Sequence, residues 1–220
     1  MTGQPTLASE LDAVTAQVPK EIGDRVGSAV DEVARSGTAS GLAVGDRAPS
    51  FELPDARGRE VSLAERLTSG PVVLVFYRGE WCPYCNLQVR ALQAALPEIR
   101  ERGASLVAIS PQSSDHSLSL AEKAELEFDV LSDVDQRVIR DYRVQFTAPA
   151  DLQAVHLEVF DVDLREHNAD GSWRLPVPAT FIIDQSGTIV TADVEADYRK
   201  RIEPSEIIAA LDAASAEAHT

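Results

Sequence analysis

Both cysteines of the chain fall in one short stretch, WCPYC, where two residues separate Cys82 from Cys85. Thiols at this spacing can form a redox couple, half of a metal site, or a peroxide-reactive thiol beside its resolving partner. A structural zinc ion needs about four ligands, and the sequence has no second C-x-x-C pair and no histidine pair at ligand spacing. The four histidines are scattered, at His116, His156, His167 and His219. We therefore expect redox chemistry, with no metal and no other bound cofactor.

The cysteines lie where a predicted strand meets a predicted helix. PVVLVFYR, residues 71–78, is an apolar run typical of a strand buried on both faces. NLQVRALQAALPEIRERG has a helical apolar period and should end at Gly103. The free N–H groups and the dipole at a helix start stabilise an anion, which makes a thiol there more acidic and more reactive. One thiol could attack and the other could resolve the product as an intramolecular disulfide.

An α/β domain with an N-terminal helical extension is predicted around this junction. Apolar side chains recur three or four apart over residues 7–36, and Pro19 should divide that stretch into two helices. SGTASG reads as a linker, so the arm and linker take residues 1–40 and the domain takes residues 43–215. The arm should pack on the domain or on a second subunit.

The domain itself alternates strands with helices, which implies a mixed sheet covered on both faces. Beyond the junction, the expected strands are two in PSFELPDARGREVSL, one in ASLVAIS, one in FDVLSD and two in ATFIIDQSGTIVTADV. Further helices are expected over residues 118–128 and from Pro204 onward. Residues 146–173 form a longer connection than a compact fold needs, and should wall the active site or form a subunit contact.

Charge and hydropathy exclude several classes of partner. The formal charge is -16 and the sequence pI is near 4.6, which argues against nucleic acid because phosphate binding needs a basic surface. The sequence has no run of the ~18 apolar residues typical of a membrane span, and its N-terminus lacks the features of a secretory signal. A close cysteine pair in a chain with no other cysteine suits a reducing compartment, so we expect a cytoplasmic protein.

The chain resembles the peroxiredoxin-like branch of the alkyl hydroperoxide reductase and thiol-specific antioxidant family. The resemblance covers about residues 43–215 and rests on GDRAPSFELPDARGREVSL, VVLVFYRGEWCPYC, LVAIS, VLSDVDQRVIRDYRV and VPATFIIDQSGTI, in that order. It implies a thioredoxin-like fold with a central mixed β-sheet flanked by helices. It also implies an antioxidant thiol peroxidase that forms a homodimer.

The family motif F-Y-P-x-x-x-T-x-x-C aligns with this sequence without a gap. The alignment puts Cys85 at the position of the peroxide-attacking thiol, Cys82 in place of the threonine, and Arg78 in place of the proline. The resemblance therefore implies that hydrogen peroxide or a small organic hydroperoxide oxidises Cys85 and that Cys82 resolves the sulfenic acid. Thioredoxin or a low-molecular-weight thiol would then reduce the disulfide.

A second resemblance leads to a different order of attack. WCPYC is similar to the thioredoxin and glutaredoxin motif, in which Cys82 would be the exposed attacking thiol of a protein disulfide reductase. Many peroxiredoxins place an arginine three residues before the Phe of FIID, where this chain has Pro178. Pro178 instead resembles the cis-proline whose carbonyl-side backbone binds substrate in thioredoxin-like reductases. A redox-sensing binding protein without efficient turnover is the third possibility.

Other residues near the motif have a possible functional role and an ordinary structural one. Arg78 and Arg174 could supply the positive charge that the absent arginine would provide, or lie on the surface. Trp81 could shield the thiols or contact substrate, or it could be a packing aromatic. Tyr84 could donate a hydrogen bond near the sulfurs, and Glu80 could accept a thiol proton; either side chain could instead be simply exposed to solvent.

Overall fold

The computed structural model describes residues 5–217. Its helices are α1 (Leu7–Thr15), α2 (Lys20–Ser36), α3 (Leu63–Ser69), α4 (Pro83–Glu101), α5 (Ser114–Lys123), α6 (Arg137–Asp141), α7 (Ala150–Glu158), α8 (Leu164–His167) and α9 (Pro204–Glu217). Its strands are β1 (Glu52–Pro54), β2 (Glu60–Ser62), β3 (Val72–Phe76), β4 (Ser105–Ser110), β5 (Asp129–Ser132), β6 (Gln145–Thr147), β7 (Arg174–Pro176), β8 (Ala179–Ile183) and β9 (Ile189–Val194).

Five strands form the central sheet, in the order β5-β4-β3-β8-β9. β3, β4 and β5 run parallel, while β8 is antiparallel to β3 and β9 is antiparallel to β8. Side chains of β3 alternate between the faces: Val73 and Val75 pack with α4 and α9, and Leu74 and Phe76 pack in the core on the other face. This architecture confirms the predicted mixed α/β sheet flanked by helices.

The strand-to-helix junction carries the cysteines, as predicted. β3 ends at Phe76, two residues before the end of the apolar run, and α4 begins at Pro83. Pro83 fits there because the first residues of a helix donate no intrahelical hydrogen bond. The helix ends as predicted, where Gly103 takes a left-handed φ of +69°.

The N-terminal arm packs on the domain. Pro19 separates its two helices as predicted; α1 lies against α4, and α2 lies against α7. The carboxylate of Glu203 accepts hydrogen bonds from the N–H groups of Leu7 and Ala8 at 3.2 and 2.7 Å. That carboxylate satisfies two of the free donors at the start of α1 and ties the arm to the C-terminal part of the chain. Residues 1–4 of the predicted arm lie outside the described residues.

One helix lies several residues earlier in the chain than predicted. The helix expected over residues 118–128 is α5, which begins at Ser114 and ends at Lys123. Glu125 adopts a left-handed φ of +49°, and the N–H of Leu126 turns back to the carbonyl of Ala121 at 2.9 Å. This closure ends the helix although the apolar spacing continues beyond it.

No helix within residues 5–217 combines the length and apolar character needed to cross a lipid bilayer.

Two glycines should respond oppositely to alanine. A Cβ at Gly70, before β3, would overlap the backbone carbonyl oxygen of Gly103, whereas a Cβ at Gly27 in α2 would meet open space. We expect Gly70→Ala to lower the free energy of unfolding by about 1–3 kcal/mol. Gly27→Ala should raise it by about 0.5–1 kcal/mol, because alanine is the better helix former. Denaturant titration of both variants measures this, and equal stabilities would contradict the packing at Gly70.

Candidate active site

The dithiol centre, formed by Cys82 and Cys85, lies at the start of α4. Cys82 is the residue that caps this 19-residue helix, and Cys85 is its third residue. Both thiols are free and buried, while Pro83 between them is exposed. Tyr77, Tyr84 and the α1 side chain of Leu11 belong to the same buried cluster as the sulfurs. The arm therefore forms part of the wall around the dithiol centre.

Two arginines point at the two sulfurs. A guanidinium nitrogen of Arg78 lies 3.8 Å from the sulfur of Cys82, and one of Arg201 lies 3.6 Å from the sulfur of Cys85. Arg201 is held in place by Gln88, a buried residue of α4 whose side-chain oxygen accepts from its Nε at 2.7 Å. Within the described range, neither arginine forms an ion pair with a carboxylate. Their charges therefore favour an anion on the dithiol centre.

Arg78 is almost completely buried, with 2% of its surface exposed. Its guanidinium lies between the rings of Trp81 and Tyr198, 4.7 and 4.2 Å from their centroids. A nitrogen of the same group lies 3.1 Å from Nε2 of His156. A guanidinium only donates, so Nε2 accepts and the imidazole is neutral. Burial and the charge of Arg78 lower the pKa of His156 to about 3, which keeps it neutral at physiological pH.

The two thiols differ in acidity. Burial opposes ionisation of Cys85, but a hydrogen bond from Cys82, the charges of Arg201 and Arg78, and the backbone N–H of Arg78 lower its pKa to about 5. Burial and the neighbouring Cys85 raise the pKa of Cys82 well above its ordinary value. The arginines therefore favour one negative charge on the pair, and the donors around Cys85 favour its sulfur as the place for that charge.

Residues 146–173, which we call the cover segment, wall this site. The predicted long connection is folded: it holds α7 and α8, and β6 pairs with β7 at its two ends. His156 on α7 packs edge-on against Trp81, with ring centroids 5.2 Å apart. The sequence left two roles open for this segment, a wall of the active site and a subunit contact, and the structure shows the first.

The aromatic residues of the motif have separate surroundings. Trp81 is half-buried and contacts both Arg78 and His156, so it covers the Arg78 side of the site. The Tyr84 hydroxyl lies 3.2 Å from that of Thr15 on α1, and its ring packs against Tyr198. Tyr84 is therefore buried, and its hydroxyl joins the arm to the site; the predicted hydrogen bond toward the sulfurs is not the one observed.

Three residues do not have the catalytic role that the sequence allowed. Arg174 forms an ion pair with Asp170 and contacts Ser172, so its charge is engaged within its own loop. The positive charge comes from Arg78, one of the two predicted candidates, and from Arg201, which the sequence did not indicate. Glu80 contacts His116 and not the thiols. The peptide bond before Pro178 is trans, as are all those within residues 5–217.

Pro178 also lacks the free carbonyl that substrate binding by a reductase would use. Its oxygen accepts a hydrogen bond from the N–H of Glu195 at 3.0 Å. That bond continues the pairing of β8 with β9, so the position is part of the sheet. Pro178 itself is buried and borders a small cavity with Arg78 and Tyr198.

Comparison with known proteins identifies the family of the chain. The model of the AhpC/TSA family matches residues 44–192. Peroxiredoxin Q of Sedum lineare chloroplasts is 29% identical over 164 residues, 74% of this chain and 73% of its own length. A Mycobacterium tuberculosis protein named as a peroxiredoxin is 30% identical over 151 residues, 69% of this chain and 84% of its own. The crystal structure of peroxidoxin BcpB from the same species superposes with a TM-score of 0.61 at 24% identity, covering 78% of this chain and 97% of that one.

The family match spans most of the domain, and its range includes both cysteines. The structural likeness confirms the thioredoxin-like fold, and the family match confirms the resemblance found in the sequence motifs. The chain belongs to the AhpC/TSA family and is a peroxiredoxin-like thiol peroxidase.

Proposed function

We propose that this protein reduces hydrogen peroxide or small organic hydroperoxides, with Cys85 as the attacking thiolate and Cys82 as the resolving thiol. The observation that carries this assignment is the pair of arginines, Arg78 and Arg201, which face the sulfurs without a carboxylate partner in the described structure. A buried charge needs compensation, and a thiolate in the dithiol centre supplies it. Cys85 has the most donors around its sulfur and is the better place for that charge.

In the first step the Cys85 thiolate attacks one peroxide oxygen. The S–O bond forms as the O–O bond breaks, and the leaving hydroxide or alkoxide takes a proton to become water or an alcohol. Cys85 is then a neutral sulfenic acid. Arg201 stabilises the thiolate before the attack and can hold the oxygen that becomes negative during it.

In the second step Cys82 attacks the sulfenic sulfur, and water leaves as the disulfide forms. Burial and the charge on Cys85 hold the proton on Cys82 in the reduced protein. Oxidation of Cys85 removes that charge, so Cys82 becomes easier to ionise at the moment its thiolate is needed. Arg78, 3.8 Å away, then stabilises the second thiolate.

A thiol reductant completes the cycle by exchange with the disulfide. The family implies a peroxide substrate and a thioredoxin-type reductant; a low-molecular-weight thiol is our proposed alternative donor. We place the cycle in the cytoplasm, since two reduced thiols need a reducing compartment to be regenerated.

A homodimer is also part of the proposal. Leu157, Val159 and Phe160 are exposed large apolar side chains, 44%, 43% and 38% accessible, and they lie together at the end of α7. Clustered apolar exposure of this kind is typical of an interaction surface. Light scattering of the purified chain and of a Phe160→Glu variant tests this, and a monomer at all concentrations would contradict it.

The function is tested by comparing two substrates with the reduced wild-type protein. We expect stopped-flow oxidation by hydrogen peroxide at least about 100-fold faster than that of a free thiol, and slow reduction of a protein disulfide such as insulin. A matched titration with an organic hydroperoxide measures the preference. Slow reaction with both peroxides, together with rapid insulin reduction, would replace the peroxidase with a disulfide reductase led by Cys82.

A further inference from the structure

Three side chains with metal-ligating atoms converge beside the dithiol centre: Glu80, His116 and His167. They are scattered in sequence, but in the structure one ligand atom of each lies within 4.8 Å of the other two. Nδ1 of His116 contacts the carboxylate of Glu80, and the two imidazole centroids are 5.0 Å apart. Since 51 positions separate the histidines in the chain, their spacing in the sequence could not reveal the cluster.

The cluster joins three elements that the fold already holds in place. Glu80 follows β3, and its N–H donates to the side chain of Gln112 at 2.6 Å while its carbonyl accepts from Asn86 at 2.9 Å. His116 lies in the first turn of α5, and His167 is the last residue of α8 in the cover segment. A rigid support of this kind is what a metal site requires of its ligands.

The surroundings leave the three side chains available. The side chains of Glu80 and His116 are 16% and 32% exposed, so an ion from solvent can reach them. The competing cation, Lys123, lies 4.0 Å from Glu80 and is 73% exposed, so it can move into water. Nδ1 of His167 is buried without a hydrogen-bond partner, and a flip of the ring can turn either nitrogen toward the cluster.

We propose that Glu80, His116 and His167 bind a Zn²⁺ ion at the rim of the dithiol centre, with the fourth coordination position open. Two imidazoles and one carboxylate are a known ligand set for zinc with a free position. Bonds of about 2.0–2.1 Å put tetrahedral ligands roughly 3.4 Å apart, so small side-chain rotations close the site. The ion would tie the cover segment, through His167, to the loop that carries Trp81 and Cys82.

The dithiol centre could itself bind zinc, so the test removes the thiols first. Isothermal titration with Zn²⁺ is made on the Cys82→Ser/Cys85→Ser protein, where we expect one ion per chain. His116→Ala, His167→Ala and Glu80→Gln, each added to that background, should weaken binding at least about 100-fold. Asp115→Asn, which removes an exposed carboxylate next to His116, is the matched control and should bind as the background does. Circular dichroism melts check that every variant is folded.

Two further readouts separate a metal site from an ordinary ion pair. Co²⁺ should give a ligand-field spectrum without thiolate charge-transfer bands, and should lose it in His167→Ala. Zn²⁺ should slow hydrogen exchange of the α8 amides in the background protein and leave them unchanged in His167→Ala. Absence of binding, or equal binding by the ligand variants and the control, would reduce the cluster to a Glu80–His116 ion pair beside a packed histidine. Neither readout depends on peroxidase activity, so the metal-site proposal is tested independently of the proposed function.

Discussion

Cys85→Ser is expected to abolish the rapid reaction with peroxide. Removing the nucleophile of an enzyme typically costs more than 1,000-fold in rate. Loss of the Cys85 charge makes Cys82 easier to ionise, but burial still opposes its thiolate, and Arg201 faces the sulfur at position 85. We therefore expect oxidation of the variant to be at least about 1,000-fold slower than that of the wild type. Stopped-flow fluorescence measures this, since Trp81 lies against Arg78 and should report changes at the sulfurs.

Cys82→Ser is the matched control for this experiment. Serine restores a hydroxyl where the family motif has threonine, and it can still donate a hydrogen bond to the Cys85 thiolate. The rate of the first oxidation should stay within about 10-fold of the wild-type rate, which corresponds to about 1.4 kcal/mol in activation free energy. The product should remain a sulfenic acid that a nucleophilic probe traps. Rapid oxidation that survives in Cys85→Ser and disappears in Cys82→Ser would reverse the roles of the two thiols.

The sequence pattern was sufficient for the fold because its main signals are local. The apolar run of residues 71–78 predicts the central strand, and Pro19 and Gly103 mark helix boundaries through backbone geometry that depends on few neighbours. The displaced α5 shows the limit of such signals. There, apolar spacing continues past Lys123, but the left-handed turn at Glu125 ends the helix.

The site was predictable only where it is contiguous in sequence. The spacing of Cys82 and Cys85 identifies the dithiol centre, whereas its charges come from far along the chain. Arg201 lies 116 positions after Cys85, in a loop whose path the local pattern does not specify. Arg174 was one of two candidates from sequence, but Asp170 four residues earlier forms an ion pair with it. Contacts between distant segments decide which arginine faces a sulfur.

Packing also decided what Trp81 and Tyr84 do. Both were candidates for contact with the sulfurs or substrate. Their closeness to the cysteines in sequence does not show whether either side chain makes that contact. The structure directs Tyr84 toward the arm, and Trp81 toward Arg78 and the cover segment. Because Cys85 has no exposed surface, a peroxide reaches it only when one of these walls opens locally. The walls therefore influence the rate of the first step without taking part in its chemistry.

Arg201→Gln should shift the pH dependence of peroxide oxidation. In the wild type the rate should rise as pH increases through the Cys85 pKa of about 5 and level off above it, because only the thiolate reacts. Losing the guanidinium 3.6 Å from the sulfur removes a stabiliser of the charged form. The midpoint should therefore move up by about 1–2 pH units, the usual effect of one close opposite charge.

The matched control is Arg174→Gln, which removes the same charge from a residue engaged with Asp170. Its midpoint should equal that of the wild type. The rate of the Arg201 variant should also stay lower on its alkaline plateau, since the arginine stabilises the oxygen charge that develops during attack. A titration of thiolate absorbance in each protein separates these two effects, because it follows ionisation without chemistry. If the thiolate midpoint moved in the Arg174 variant and not in the Arg201 variant, the charge assigned to Arg201 would belong to another residue.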